Sequence, residues 1–195
     1  RQHPPETTGA ESLMPFVETI WGDSALAQQF RSEFNLIVVP LINPDGVANG
    51  HWRHNLGSLD LNRDWGPFTQ PETSAVKGAL SRFETGGDKV VLFLDFHSTK
   101  RNLIYTQLDQ QPNILPFFTR DWIANVKAIV ADSEYRFTRE ASGTSKTPVS
   151  KNYMYNTHSI PALTFEVGDE TPKAAIEMSA KVFADEMMTC RSILD

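Results

Sequence analysis

Five apolar residues in succession, Val90 to Leu94, run directly into Asp95-Phe96-His97-Ser98. A β-branched and aromatic run of this kind predicts a strand over residues 89–98 that is buried on both faces, as in the middle of a parallel sheet. Side chains two apart share one face of a strand, so Asp95 and His97 should emerge on the same side at its carboxyl end. In open α/β sheets that end is where ligands sit. Residues 35–41, with Pro40 near their end, predict another buried strand, and residues 103–106 and 162–168 predict two short ones.

Between these runs the apolar positions recur at helical spacing. Leu13, Phe16, Val17 and Ile20 mark one helix, and Pro15 inside the pattern predicts a kink or a late start. Thr69-Gln70-Pro71-Glu72 has the form of a capping box ahead of the face Val76, Ala79, Leu80 and Phe83. Phe118, Trp122, Val126, Ile129 and Val130 predict a helix over residues 116–132. Pro172 opens a last helix whose face runs Ile176, Phe183, Met187, Cys190 and Leu194. Asn43-Pro44-Asp45-Gly46 is a turn signal. Two polar stretches without a period, 47–68 and 138–159, predict long loops, and Trp52 and Trp65 in the first argue for a functional loop over a disordered one. Strands alternating with helices define an α/β class, with a mixed, largely parallel sheet flanked by helices.

Composition narrows the function classes. At 195 residues the chain is most simply one domain with a sizeable core. A formal charge of −6 and a pI near 5.4 argue against a nucleic-acid partner, which calls for a basic face. No apolar run approaches the roughly 18 residues needed to span a bilayer. The single cysteine, Cys190, supplies neither an internal disulfide nor a thiolate metal cluster, and its place in a helical pattern predicts a small buried hydrophobe. The chain starts at Arg1 without a methionine; compartment and oligomeric state stay open, with a lean toward an exported soluble protein.

The polar islands carry the candidate chemistry. His3 and Glu6 lie three apart around Pro4 and Pro5, where a turn into a helix would set Glu6 in the first turn and aim both side chains at one point. Such a pair also arises by chance at a solvated terminus. Arg53, Asp60, Asn62 and Arg63 crowd one loop, and arginine presents a fork suited to carboxylates. His97 ends the central strand and Glu166 sits near the end of the last one. Two histidines and a glutamate form a catalytic zinc triad with an open fourth position, and a further carboxylate can take a proton from the attacking water. His51 and His54 are a rival pair flanking Trp52-Arg53, read as groups at the rim; His158 has no partner motif.

These islands resemble the zinc carboxypeptidases of the carboxypeptidase A/B superfamily. The matching residues are His3-Pro-Pro-Glu6, Asn43-Pro-Asp-Gly46, Trp52-Arg53, Gly57-Ser-Leu-Asp60-Leu-Asn62-Arg63-Asp-Trp65, Asp95-Phe-His97-Ser98 and Thr164-Phe-Glu166, in the family's order. The resemblance spans essentially the whole chain and implies a phosphorylase/hydrolase-like fold with one zinc ion. His3, Glu6 and His97 would hold the metal. Glu166 would be general base and acid, and Arg53 would stabilise the developing oxyanion. Asn62 and Arg63 would clamp the free carboxylate of the substrate, and Asp60 would orient a zinc histidine.

Two departures from the family pattern matter. The family places at least one strand before its H-x-x-E, so a strand is expected ahead of Arg1, pairing beside residues 36–41. Digestive members also place a tyrosine in the late loop where this chain has Thr144 and Ser145; Tyr153 and Tyr155 lie nearer Glu166, and Tyr155 is the candidate substitute. Counting back from Glu166 to the base of the family's specificity pocket lands near Lys151, with Val149 and Asn152 as neighbouring alternatives. A lysine there would favour a substrate with an acidic last residue. The expected activity is hydrolysis of an amide beside a free carboxylate in a peptide. N-acyl amino acids or peptidoglycan stem peptides are alternative substrates, and a zinc-binding module without catalysis is the third reading.

Overall fold

Four strands, β1 (Phe93–Thr99), β2 (Leu103–Gln107), β3 (Thr138–Ser142) and β4 (Ala162–Gly168), form one sheet in the computed structural model, which describes residues 1–190. Their order is β1-β4-β2-β3. β1 runs parallel to β4 and β3 parallel to β2, while β2 and β4 are antiparallel, so the expected mixed, largely parallel sheet is found. Pairing of the buried β1 and β4 sets His97 directly beside Glu166. The two candidate catalytic strands are therefore neighbours.

Among the described residues, seven helices flank the sheet: α1 (Thr7–Trp21), α2 (Ala25–Glu33), α3 (Pro44–Ala48), α4 (Pro71–Thr85), α5 (Phe118–Ile129), α6 (Ser150–His158) and α7 (Lys173–Thr189). Phe16 and Ile20 of α1, Trp122 of α5 and Phe183 of α7 close on Phe96 and Phe165 of the sheet. Phe165 lies at the middle, stacked on Phe96 at 5.0 Å and edge-on to Phe183 at 5.1 Å. The buried indole N–H of Trp122 donates to the Phe183 carbonyl at 2.9 Å, so this aromatic core leaves no orphan there. Cys190 packs half-buried against the same cluster, and Leu194 lies outside the described residues.

Several expected elements differ. Residues 35–41 form no strand; Ile37, Val39 and Leu41 are exposed, and β1 begins at Phe93 although the apolar run begins at Val90. A cavity of about 540 Å³ separates the two stretches, lined by Leu36, Val38, Val90, Leu92, Phe16 and Leu80. Apolar, β-branched sequence favours a strand, but a ladder needs a neighbour within hydrogen-bonding reach, and here each run faces a gap. Val76, Ala79 and Leu80 of α4 are only half-buried, and Val76 and Leu80 line the same gap. α1 starts at Thr7 and continues through Pro15, so no late start occurs and Glu6 becomes its N-cap residue. The turn at Asn43 tightens into α3, with the Asn43 side chain accepting from Gly46 N at 3.0 Å. A Cβ on Gly46 would sit 2.5 Å from that same oxygen, so the turn requires glycine.

The expected capping box is replaced by a longer reach. Gln70 caps α4 without a side-chain bond; Asp64 instead accepts from Thr69 N, Thr69 Oγ1 and Gln70 N at 2.8–2.9 Å. The polar stretch 138–159 is not a loop but contains β3 and α6. Helix α6 escapes a periodicity argument because three of its buried side chains, Ser150, Lys151 and Asn152, are polar.

Candidate metal centre

The first turn of α1 is pressed against the end of β1. A Cβ on Gly9 would meet the His97 carbonyl oxygen at 2.5 Å, so only glycine allows this approach. Gly9 N and Thr8 Oγ1 both donate to Ser98 Oγ, at 2.9 and 2.8 Å. Arg1 Nε donates to the Pro4 carbonyl at 2.8 Å, and Asn43 Nδ2 donates to the Gln2 carbonyl at 3.0 Å. The chain before α1 is thereby folded over the strand end, which carries His3 and Glu6 to His97.

Glu6 joins the two imidazoles. Its carboxylate oxygens lie 2.7 Å from His3 Nδ1 and 2.7 Å from His97 Nδ1. Each ring turns its other nitrogen to a different carboxylate, His3 Nε2 to Asp60 at 2.9 Å and His97 Nε2 to Asp95 at 2.8 Å. The three candidate ligand atoms all lie within 4.8 Å of one another, and both histidines are buried. Two nitrogens and one carboxylate converging on a point, each imidazole steadied from behind by an acid, fit zinc by donor type and by outer support. Burial alone would lower the His97 pKa, but Asp95 and Glu6 outweigh it and hold it up at about 10. His3 is likewise raised by Asp60 and Glu6 against the pull of burial. Glu6, in spite of burial, is held down at about 2 by the two imidazoles. A metal ion takes neutral imidazoles, so loading this site would release protons.

Beside this centre, burial raises Glu166 to about 7, with the Glu6 and Asp95 carboxylates adding to the rise and His97 opposing it. A carboxyl group poised near neutrality next to a candidate metal site is what general acid–base chemistry needs. Glu166 lines a cavity of about 310 Å³ together with Asn62, Tyr105, Thr147, Lys151 and Thr164. Val149 and Asn152, the alternatives to Lys151, line it as well. Lys151 is only 9 % exposed, its ammonium pKa is lowered by that burial, and it has no hydrogen-bond or ion-pair partner among the described residues. It is a desolvated cation facing an open cavity.

The remaining expected residues divide. Asp60 takes His3, as the resemblance implies, and also accepts from Arg53 Nε at 2.7 Å and Asn62 N at 2.9 Å, which drives its pKa down despite burial. Arg53 is thus parked on Asp60 with its guanidinium partly exposed. Asn62 and Arg63 lie in a single 3-10 turn, Leu61–Arg63, with Asn62 Oδ1 accepting from Ser150 N at 2.9 Å and Arg63 half-exposed. Tyr155 does not reach the cavity: its hydroxyl donates to the Pro112 carbonyl at 2.8 Å. The phenol that does line the cavity is Tyr105, on β2 in register with Thr164, and nothing in its local sequence marked it. His51 bonds the His54 carbonyl at 3.2 Å and His158 pairs with Glu84 at 3.2 Å, away from the centre. Gly9, Gln2 and Ser150 were missed because their role rests on contacts across more than fifty residues.

With this geometry in hand, the zinc carboxypeptidase family profile matches residues 1–184, and the chain belongs to that family. It is 28% identical over 172 residues, 86% of its length, to cytosolic carboxypeptidase 1 of Xenopus laevis. It is 38% identical over 108 residues, 52% of its length, to cytosolic carboxypeptidase 2 of Xenopus tropicalis. The chain spans only 13% and 11% of those two relatives. Among solved structures, a metallo-carboxypeptidase from Burkholderia cenocepacia superposes with a TM-score of 0.68 at 22% identity, over 100% of this chain and 54% of that one. The fold is therefore that of the zinc carboxypeptidases. No helix among the described residues is long and apolar enough to cross a membrane. The names of the relatives lend nothing to the lean toward export.

Proposed function

We propose that this chain forms the catalytic centre of a zinc carboxypeptidase that removes an acidic residue from the C-terminus of a peptide. The observation that carries the reading is the convergence of His3, Glu6 and His97 next to Glu166, which lines a cavity holding the unpaired Lys151. Zinc, when bound by His3, Glu6 and His97, supplies Lewis acidity and a lowered pKa for water. Glu166 takes the proton of the attacking water and returns it to the departing amine. Arg53, released from Asp60, balances the charge that develops on the carbonyl oxygen. Arg63 and Asn62 hold the terminal carboxylate of the substrate, which confines cleavage to the last bond.

Lys151 supplies the side-chain preference. Two unit charges 4 Å apart attract by about 4 kcal/mol at an effective dielectric near 20, enough to rank an acidic last residue well above an apolar one. The deciding experiment compares short peptides ending in Glu, Phe and Lys, together with N-acyl amino acids and a stem peptide, before and after Lys151→Ala. Zinc content is measured on the same samples. Preferred cleavage of the Glu peptide that is lost in the variant is the expected result. Preference for an acyl amino acid or the stem peptide would move the substrate class and leave the metal chemistry in place, and a zinc-loaded protein that cleaves none of them would be a binding module.

A further inference from the structure

Ser150 opens α6 and is 0% exposed. Its hydroxyl donates to Asp95 Oδ2, the oxygen that also receives His97 Nε2 at 2.8 Å and Gln2 Nε2 at 2.7 Å. The orientation of Gln2 is fixed, because its Oε1 accepts from Trp65 Nε1 at 2.9 Å. Asp95 thus gathers three donors onto one oxygen, and of these Ser150 alone belongs to the helix that lines the cavity. The backbone N–H of Ser150 points another way and donates to Asn62 Oδ1 at 2.9 Å. The next residue is Lys151. One residue therefore touches the carboxylate behind a metal ligand, touches the candidate carboxylate clamp, and adjoins the cation in the cavity.

We propose that Ser150 is a positioning residue that couples recognition of the substrate's last residue to the metal ligand His97. The inference rests on the reading of the site given above. A hydroxyl buried against an ionised carboxylate has a single favourable arrangement, with the O–H donating. That bond locks the start of α6 to Asp95, and Asp95 in turn sets the angle of the His97 ring. Pulling on α6 through Lys151 or Asn62 is then felt at His97. Without the hydroxyl, Asp95 keeps Gln2 and His97 but loses its tie to the helix, and the ring is left joined to the cavity wall only through the longer contact of Asn62 Nδ2 with His97 Nε2 at 3.5 Å.

The test uses the full-length protein loaded with zinc and the series Ser150→Ala, Ser150→Cys and Ser150→Thr. Removing a partner that orients a metal ligand typically costs 10–100-fold in metal affinity. Ser150 acts one bond further out, through Asp95, so Ser150→Ala and Ser150→Cys are expected to speed zinc release to a chelator at the low end of that range, by up to about tenfold. Both should also narrow the ratio of kcat/KM between Glu-ended and Phe-ended peptides, and Ser150→Thr should restore both readouts. Lys151→Ala should narrow the ratio while leaving zinc release at the wild-type rate. If the alanine and cysteine variants lose only thermal stability, with zinc release and the ratio unchanged, Ser150 is structural and the coupling is refuted. A wild-type protein that takes up no zinc overturns the reading of the site and this inference with it, whereas normal zinc uptake with an indifferent Ser150 overturns the coupling alone.

Discussion

Replacing Glu166 with glutamine separates function from stability. The carboxyl is raised from 4.5 to about 7, chiefly by burial, so the folded chain holds its proton more tightly than the unfolded chain does. At about 1.36 kcal/mol per pH unit, the ionised form costs the fold at most roughly 3 kcal/mol above pH 7. Between pH 4.5 and about 7 the native state carries more protons at this position than the unfolded state, so its contribution falls as pH rises through that window. Below pH 4.5 both states are protonated and the cost is absent. Glu166→Gln should therefore leave the metal-free protein about as stable as wild type at pH 4, and stabilise it by up to roughly 3 kcal/mol at pH 8. The measurement is urea unfolding of both proteins, stripped of metal, at pH 4, 6 and 8. Bound zinc would favour the carboxylate and shrink the gain, which a parallel series with metal would reveal. The same variant should keep zinc yet lose about 10²–10⁴-fold in turnover, the usual worth of a general base. A loss under about tenfold would assign the proton transfer to another group. Equal stability of the two proteins at every pH would refute the claim that burial strains this carboxyl.

His97→Ala removes one of the three candidate ligands and should abolish stoichiometric zinc and activity together; full zinc occupancy by metal analysis would sink the ligand assignment. Gly9→Ala places a methyl 2.5 Å from the His97 carbonyl oxygen, so α1 must lift from β1 at a cost of about 1–3 kcal/mol. Thermal unfolding should show that loss, and zinc affinity should fall with it because α1 carries Glu6. The strand expected ahead of Arg1 would seat in the gap between residues 36–39 and 89–92, since Arg1 and Gln2 line that gap. Hydrogen exchange on the full-length natural protein should then find the amides of Val90 and Leu92 protected, and rapid exchange there would argue against it.

The candidate metal-centre residues could be picked out because their chemistry restricts them. A histidine and a carboxylate at a strand end or in a proline turn have few purposes, and six ordered motifs leave little room for coincidence. Asp60 was picked out by the family resemblance alone. What could not be read is what depends on approach between distant segments. Gly9 looks like any small residue until the His97 carbonyl is found where its Cβ would be. The strand expected at residues 35–41 failed for a related reason: its composition is right, and the partner backbone is not within reach.

Helix α6 shows how a site can hide its own scaffold. Amphipathic patterning assumes that the buried face of a helix is apolar, because burying a polar group without a partner is costly. At a binding site that assumption is reversed, since the inward face must present hydrogen-bonding groups to neighbours and substrate. Ser150 and Asn152 are buried and bonded, to Asp95 and Asn62 in one case and to Ser145 and Thr147 in the other. Lys151 is buried and waits for a partner. Only Met154 on this helix contributes a fully buried apolar side chain, so the 3.6-residue period vanishes from the hydropathy although the helix is well formed. An aperiodic polar stretch that lies shortly before a catalytic strand is therefore better read as a helix turned toward the site than as a loop. Residues 150–158, eight positions ahead of Glu166, fit that rule.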